Sequence, residues 1–506
     1  MGVVVGRVDL DRPLELTSSL FDPRRREIRA PQRLVQRRLR RLPLDCQLQH
    51  LGSAAEVAAV EALTPLGVQG VDDVVVVVRH AHLSRPLSPH STIRERPTTE
   101  GSTAPVVDAA PFRALRYDTA IAGDPATTSA PAYDDLGRFQ YAQHRTASPY
   151  TVLELLAGAG DDQSGGYESA GAAYRRWLRT GVLVEHSHPA FYLYEIHELR
   201  RAVPAVLRGV LAAVAVTGDT LLPHERVESH RIENRLRRLA AVPADLAPVF
   251  AVHTAAGRDF RDVVDAAPHT PPLIAFTDEV GADHRIWPVT ESDAHHTLAM
   301  GLRGVRAVIA DGHHRFAAAV ELQRLQPQQR RTLTYLVDAT AYGPQLLPVH
   351  RVATRVPRDL ARRLREVSTV TPVPIEALED ALAAVHGPAL GWRTAGDEGW
   401  LLIAHDAELV RRMPRERSTA WRRLDTAVFE YLVRPVLGDA EITYRAGDGA
   451  SQGALRPGSA LFLVRPPPLE TVYSCALEGE AMPAKSTWFR PKPRAGVVMR
   501  SLDSGT

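Results

Sequence analysis

The feature that most constrains the fold is a strand, a sharp turn and a helix that follow one another in RAVIADGHHRFAAAVELQ, residues 306–323. The apolar run at 307–310 has the length of a buried strand, and Gly312 allows the chain to turn after Asp311. The next residues, FAAAVELQ, are rich in alanine, which is the best helix former. A strand and a helix in this order predict an α/β fold.

The same corner predicts an anion site. Gly312 lets backbone amides approach a ligand closely, and the start of a helix carries unpaired N–H groups and a partial positive charge. Arg315 would then clamp a phosphate through two hydrogen bonds. The alternative is an ordinary capped corner with Asp311 as the N-cap and with His313 and His314 on the surface. We expect no metal here, because adjacent histidines point apart on regular structure.

Composition places the chain among globular proteins of several domains. It has 506 residues, of which 44% are hydrophobic and 24% charged, and its formal net charge is +2. This small charge gives no electrostatic reason to expect nucleic acid or membrane as a partner. The only two cysteines are far apart in the sequence, which fits a reducing compartment. We therefore expect a cytoplasmic protein.

Three regions of the chain differ in composition and in the pattern of their apolar residues. Residues 1–105 combine clustered arginines with a Pro/Ser/Thr linker, which predicts an N-terminal extension that is poorly structured or a wrongly assigned start. Within it, VDDVVVVVRHAHL (71–83) has the composition of one strand. Residues 106–355 alternate short apolar runs with amphipathic segments, and 356–506 do the same. The pattern predicts an α/β core with mixed sheets followed by a second α/β domain.

Two further segments contain candidate site residues. In LLPHERV, Glu225 follows a proline turn, where a carboxylate can act as a general base or simply complement the dipole of the next helix. In LLPVHR, His350 and Arg351 come just past an expected strand, the position at which α/β proteins often bind substrates. A surface charge is the alternative for Arg351.

Lysine is confined to one place in the chain. Lys485 and Lys492, both in EAMPAKSTWFRPK, are the only lysines among 61 basic residues. The spacing resembles a phosphate-binding P-loop, but Pro483 removes an amide and Ala484 stands where glycine is required. We instead expect Lys485 to bind phosphate or carboxylate, with Ser486 and Thr487 donating hydroxyl groups and Lys492 contacting the substrate. Solvated lysines are the alternative.

From about residue 110 to 500 the chain resembles the family called domain of unknown function 1015. The matching motifs are PFRALRYD, SPYTVLEL, GVLVEHSHPAFYLYEI, LLPHERV, IWPV, IADGHHRFAAAVEL, LLPVHR and MPAKSTWFRPK. The DGHHR box is also similar to the phosphate-binding box of ParB-type domains, sulfiredoxin and free-serine kinases. Sulfiredoxin chemistry is not implied, because His313 stands where that enzyme needs cysteine. The wider resemblance implies a ParB/sulfiredoxin-like nucleotide-binding core.

The kinase resemblance implies a phosphotransferase that acts on a small hydroxylated metabolite such as serine. Glu225 and His313 would be catalytic, and ATP or ADP with Mg²⁺ would bind Asp311, Gly312, His314, Arg315 and the tail residues Lys485, Ser486 and Thr487. A ParB-like nucleotide-binding switch without catalysis, attached to a DNA or protein partner, is the alternative. A hydrolase that uses the histidines is a third reading. Each requires the DGHHR corner and the lysine tail to meet.

Overall fold

A computed structural model of the chain describes residues 2–4, 60–62, 76–80, 107–132, 136, 138–156, 166–198, 205–216, 221–254, 256–396, 398–447 and 453–503. By its internal contacts the chain divides into two units, residues 1–98 and 99–506. In the first unit, β1 (Gly2–Val4), β2 (Val60–Ala62) and β3 (Val76–His80) form an antiparallel sheet in the order β1-β3-β2. The strand expected in 71–83 is thus present as β3. The other expectations for 1–105 lie outside the described residues.

The second unit contains the remaining strands and all the helices named below. Its strands are β4 Ala109–Ala110, β5 Ala114–Tyr117, β6 Leu183–Glu185, β7 Phe191–Glu198, β8 Ala205–Ala215, β9 Leu221–Leu222, β10 Ala244–Asp245, β11 Val249–His253, β12 Ile274–Thr277, β13 Asp283–Val289, β14 Ala307–Asp311, β15 Arg331–Asp338, β16 Gln345–Leu347, β17 Val349–Thr354, β18 Ser368–Pro374, β19 Ala389–Arg393, β20 Glu398–Ala404, β21 Glu441–Ala446, β22 Ser459–Leu463, β23 Trp488–Arg490 and β24 Met499–Ser501.

Its helices are α1 Thr119–Ala122, α2 Pro125–Thr128, α3 Arg138–Ala147, α4 Gly166–Arg179, α5 Ser229–Ala241, α6 Gly257–Ala266, α7 Ser292–Leu302, α8 His313–Leu325, α9 Leu360–Val367, α10 Leu378–Ala383, α11 Asp406–Arg412, α12 Thr419–Arg422, α13 Asp425–Val428 and α14 Leu469–Leu477. The segment after α13 continues as a π-helical stretch, Phe429–Val433. None of the helices in the described ranges combines the length and the apolar composition needed to cross a membrane.

A nine-stranded sheet organises the first part of this unit. Its order is β12-β13-β7-β8-β15-β11-β14-β9, with β4 beside β8. The pairs β11–β15 and β14–β9 are parallel and the other pairs are antiparallel, so the sheet is mixed. Apolar side chains cover both faces, which explains why β7, β8, β11 and β15 are almost continuously buried. The expected α/β fold with mixed sheets is confirmed.

A six-stranded antiparallel sheet in the order β18-β20-β19-β22-β17-β21 organises the second part. It shares one apolar core with a face of the nine-stranded sheet. The expected boundary between 355 and 356 remains a prediction, and β17 already belongs to the six-stranded sheet.

The end of the described chain returns to the first part of the unit. β23 pairs with β16, and β24 joins the small sheet β10-β24-β5-β6. Between these two strands the chain passes the end of β14, since Lys492 contacts Asp311. This return brings the lysine tail to the DGHHR corner.

Candidate functional site

The corner at the end of β14 is held by charged side chains. Asp311 accepts a hydrogen bond from Lys492 Nζ at 2.7 Å through Oδ1 and one from Arg315 through Oδ2. Gly312, at φ 94°, is the residue that caps α8, and Asp311 makes no capping bond. The prediction of Asp311 as N-cap is therefore wrong, because its carboxylate is occupied by the two cations.

The Asp311 carboxylate lies between two cations. Burial alone would raise the pKa of the Asp311 carboxyl, but Lys492 and Arg315 together hold the pKa well below its usual range. Two cations therefore face one carboxylate. Arg315 also donates a hydrogen bond to the Pro248 carbonyl, so both terminal nitrogens of its guanidinium are bonded to protein. The clamp expected for a ligand phosphate is directed at the protein itself.

Two buried histidines lie beside the corner. The rings of His224 and His313 contact each other edge to face, with centroids 4.6 Å apart. The His224 amide donates to Nε2 of His313 at 3.4 Å, which places the proton of a neutral His313 ring on Nδ1. Burial lowers the pKa of His224 to about 4 and that of His313 well below its ordinary value. His313 is therefore neutral and is not a surface residue.

The loop before α5 carries the carboxylate expected to act as base. Glu225 follows His224 directly, is partly buried, and lies four residues before the helix begins, so it is not in the first turn. Burial lowers the pKa of the Arg351 guanidinium, and the nearby charge of Glu225 partly opposes that shift. The amide of Glu228 donates to Nε2 of His314 at 3.2 Å, so α8 also holds the end of this loop.

The tail forms a turn, residues 483–487, that neighbouring side chains hold in place. Thr487 Oγ1 is 2.9 Å from His224 Nε2. Ser486 Oγ donates to the Pro483 carbonyl at 2.6 Å and lies 2.8 Å from Thr426 Oγ1. Ser486 is therefore buried and fully bonded, which leaves its hydroxyl no donor for a ligand.

Lys485, at the centre of this turn, differs from its neighbours. Its backbone is left-handed, at φ 55°, and its side chain is exposed. Within the described ranges the Lys485 ammonium makes no hydrogen bond and no ion pair. A left-handed non-glycine residue is uncommon, and such residues concentrate at functional sites.

The sequence predicted that His350 and Arg351 lie just past a strand end. They instead lie inside β17, and both are buried in the core. His350 Nδ1 accepts from the Val464 amide at 3.2 Å, and burial with nearby Arg351 lowers the pKa of His350 to about 4. Arg351 Nη2 donates to the Ala484 carbonyl at 2.9 Å. Burial lowers the pKa of Arg351 to about 10. Neither side chain faces solvent, so neither can contact a substrate directly.

The fold and this corner define a mixed α/β protein with a cation-rich corner at the start of a helix. The chain belongs to the family described as "Protein of unknown function (DUF1015)", whose model matches residues 109–427. The family expected from the motifs is thus confirmed, and both lysines lie beyond the matched residues. A search of curated proteins finds no matching relative.

Solved structures show low similarity. A free serine kinase in complex with AMP is 15% identical, with 61% of this chain and 98% of that chain covered and a TM-score of 0.31. SbnI with a C-terminal truncation, from Staphylococcus aureus, is 13% identical, with 57% and 81% covered and a TM-score of 0.29. A conserved hypothetical protein from Pyrococcus furiosus is 14% identical, with 58% and 97% covered and a TM-score of 0.30. No residue of this chain is assigned a role from them.

Proposed function

We propose that this chain is a nucleotide-dependent phosphotransferase that acts on a small hydroxylated metabolite. The observation that carries the proposal is the meeting of the two cation-bearing segments, through Lys492 with Asp311 and through Thr487 with His224. The two contacts join residues 181 and 263 positions apart in the sequence. They place the lysine tail beside the start of α8.

Phosphate binding follows from the charge and the backbone at this place. The first amides of a helix have no partner within the helix and carry about half a positive charge. The exposed Lys485 ammonium adds a full positive charge on the adjoining turn. A phosphate chain has the opposite charge, and it would replace the water that solvates these groups.

The magnesium ion that the kinase resemblance implies finds no ligand set here. Magnesium is usually bound by one or two carboxylates together with substrate phosphates. Both oxygens of Asp311 already accept bonds from cations. Among the residues that the structure describes, no group of three or more His, Cys, Asp or Glu side chains could hold a metal ion. A magnesium ion would therefore be held mainly by the nucleotide phosphates, and the roles below are those of this chain's own residues.

In the proposed reaction Glu225 removes the proton of the substrate hydroxyl. The hydroxyl oxygen forms a bond to the terminal phosphorus of the nucleotide, and the bond from that phosphorus to its bridging oxygen breaks. The nucleotide leaves with one phosphate fewer, and the Glu225 carboxyl releases its proton to solvent. Lys485 and the start of α8 stabilise the charge on the transferred group. His313, buried and neutral, positions the loop of Glu225 through the His224 amide.

The test uses the full-length chain with ATP or ADP and a panel of hydroxy amino acids and polyols, and detects phosphorylated product by mass. We expect product from the wild type and a loss of about 100-fold or more in kcat for Glu225→Gln, because a positioned base contributes that much. Nucleotide affinity should be unchanged. Glu228→Gln is the matched control, since Glu228 is an exposed carboxylate on the same loop.

Two outcomes would contradict the proposal. Tight nucleotide binding with no transfer to any acceptor would favour a nucleotide-binding switch without catalysis. Equal activity of Glu225→Gln and the wild type would remove Glu225 from the reaction.

A further inference from the structure

The Lys485 turn is bound from the side of the six-stranded sheet by two buried residues. Arg351 donates through Nη2 to the carbonyl of Ala484, the residue before Lys485. Thr426 bonds to the hydroxyl of Ser486, the residue after Lys485. We infer that Arg351 and Thr426 are positioning residues that hold this turn so that the Lys485 ammonium is ready to bind an anionic ligand. The inference rests on the proposed function.

Arg351 is an unusual buried cation. It is fully buried, and in the described part of the chain no carboxylate lies within ion-pair distance of its guanidinium. Its terminal nitrogens instead donate to two backbone carbonyls, those of Val349 and Ala484. The guanidinium also lies near the rings of Phe429 and Tyr444, but a buried charge without a directly bonded carboxylate is costly, and an apolar residue could fill this place in the core. The hydrogen bond to the Ala484 carbonyl explains why this position holds an arginine.

Thr426 acts on the other side of the turn. Its side chain is buried, and its Oγ1 is 2.8 Å from Ser486 Oγ. The single hydroxyl proton of Ser486 is already donated to the Pro483 carbonyl. The Thr426 hydroxyl must therefore be the donor in this pair. Four links, from Arg351, Thr426, Ser486 and Thr487, fix the turn, and Lys485 is left without one.

A fixed turn has a functional consequence. A lysine on a mobile loop loses conformational freedom when it binds a ligand, whereas a lysine on an ordered turn loses only that of its side chain. The left-handed backbone of Lys485 requires the surrounding contacts to hold it. Loss of either positioning residue should therefore weaken ligand binding without touching the reacting groups.

The scarcity of lysine makes a direct measurement possible. An amine-specific reagent can modify Lys485 and Lys492 only, besides the terminal amine, and Lys492 is mostly buried in its ion pair with Asp311. Peptide mass separates the products. The rate of Lys485 modification, with and without ATP, then reports on the ligand at the turn itself.

The experiment compares Thr426→Val and Arg351→Gln with the wild type in the full chain. We expect ATP to protect Lys485 in the wild type, and the Kd for ATP to rise about fivefold to tenfold in both variants, the effect of one lost hydrogen bond. For Thr426→Val we expect kcat to change by less than about twofold, whereas Arg351→Gln also removes a charge that interacts with Glu225. Thr426→Ser should restore wild-type binding, because it restores the hydroxyl. In a chain that already carries Lys485→Ala, adding Thr426→Val or Arg351→Gln should not raise the Kd for ATP further.

Arg393→Gln is the matched control. Arg393 is also buried in the six-stranded sheet and donates to a backbone carbonyl, that of Gly453, which is not part of the turn. Its substitution should lower stability without changing the Kd for ATP. If Arg351→Gln does not fold, Thr426→Val and Thr426→Ser decide the question.

Two results would overturn the inference. Wild-type ATP affinity in Thr426→Val would show that the turn needs no positioning, and additive effects with Lys485→Ala would show that the residues act elsewhere. If the wild type binds ATP and the variants bind it with the same Kd, only this inference is contradicted. A wild type that binds neither ATP nor inorganic phosphate contradicts the proposed function as well.

Discussion

The corner at Asp311 and the turn at Lys485 both carry cations, but they use them in opposite ways. At the corner, Lys492 and Arg315 are largely buried and bonded to the Asp311 carboxylate. At the turn, Lys485 is exposed and makes no bond within the described residues, while its neighbours are all held. The difference separates charges that stabilise the fold from a charge that is available to a ligand.

The largest expected effect tests the corner. Lys492→Met leaves the mostly buried Asp311 carboxylate with Arg315 alone, and a lost hydrogen bond between charged groups costs up to about 3 kcal/mol. We expect the free energy of unfolding in urea to fall by that order. Lys485→Met, the matched change at the turn, should alter it by no more than about 0.5 kcal/mol. Similar losses of free energy of unfolding in the two variants would contradict the proposed difference between the corner and the turn.

Acid should also act on the corner, through its buried histidine His224, which bonds to Thr487 of the turn. The pKa of buried His224 is about 4 in the folded chain, below its ordinary value of 6.5. Between these values the unfolded chain binds a proton that the folded chain does not, so stability falls as the pH is lowered from about 6.5 to 4. Full titration of one such histidine corresponds to about 3 kcal/mol. His350, in the six-stranded sheet, adds a loss of the same sign.

Unfolding in urea at a series of pH values measures how the free energy of unfolding changes with pH. NMR titration of the imidazoles shows which histidine is responsible. An ordinary pKa for His224 would show that its ring is hydrated rather than buried.

The smallest effect concerns the backbone of the turn. Glycine adopts a left-handed conformation without the steric cost that lysine has, so Lys485→Gly should stabilise the chain by up to about 1 kcal/mol. ATP affinity should fall in the same variant, because the ammonium is lost. Arg355 is the matched control, since it is the other left-handed residue that is not glycine in the described ranges. Arg355→Gly should stabilise to a similar extent and leave ATP affinity unchanged.

The sequence predicted the elements of this site better than their contacts. The local sequence pattern predicted a strand, a turn at Gly312 and a helix. The structure confirms them as β14, Gly312 and α8. Lys492 contacts Asp311, so the tail and the corner do lie together, whereas the shared anion pocket expected between Lys485 and Arg315 stays a prediction. Whether a ligand occupies the place where they meet stays a prediction.

Long-range partners explain what local pattern missed. The capping role of Asp311 was wrong because Lys492, 181 positions away, bonds to its carboxylate. Arg351 looked like a residue at a strand end, and only the six-stranded sheet shows that it is buried. Thr426 gave no signal at all, since a threonine in a helical segment has no distinctive chemistry. Its importance depends on Ser486, which the fold brings to it.

Helix α5 shows the same limit on a smaller scale. The segment VESHRIENRLRRLAA (227–241) has Ile232, Leu236, Leu239 and Ala240 at helical spacing with its charges opposite, which predicts that this apolar face packs on the sheet. Leu239 is buried, but Ala240 is exposed and Arg235 and Arg238 are buried instead. Long arginine side chains can cover apolar surface with their methylene stems, which a two-class pattern of polar and apolar residues does not express.

The return of the chain from β23 to β24 has a consequence for how this molecule folds. Contacts that join residues hundreds of positions apart form slowly, because the entropy of closing long loops must be lost first. The Lys492–Asp311 and Thr487–His224 contacts are of this kind. Ligand capture should therefore be among the last properties gained during refolding, later than the secondary structure of either large sheet.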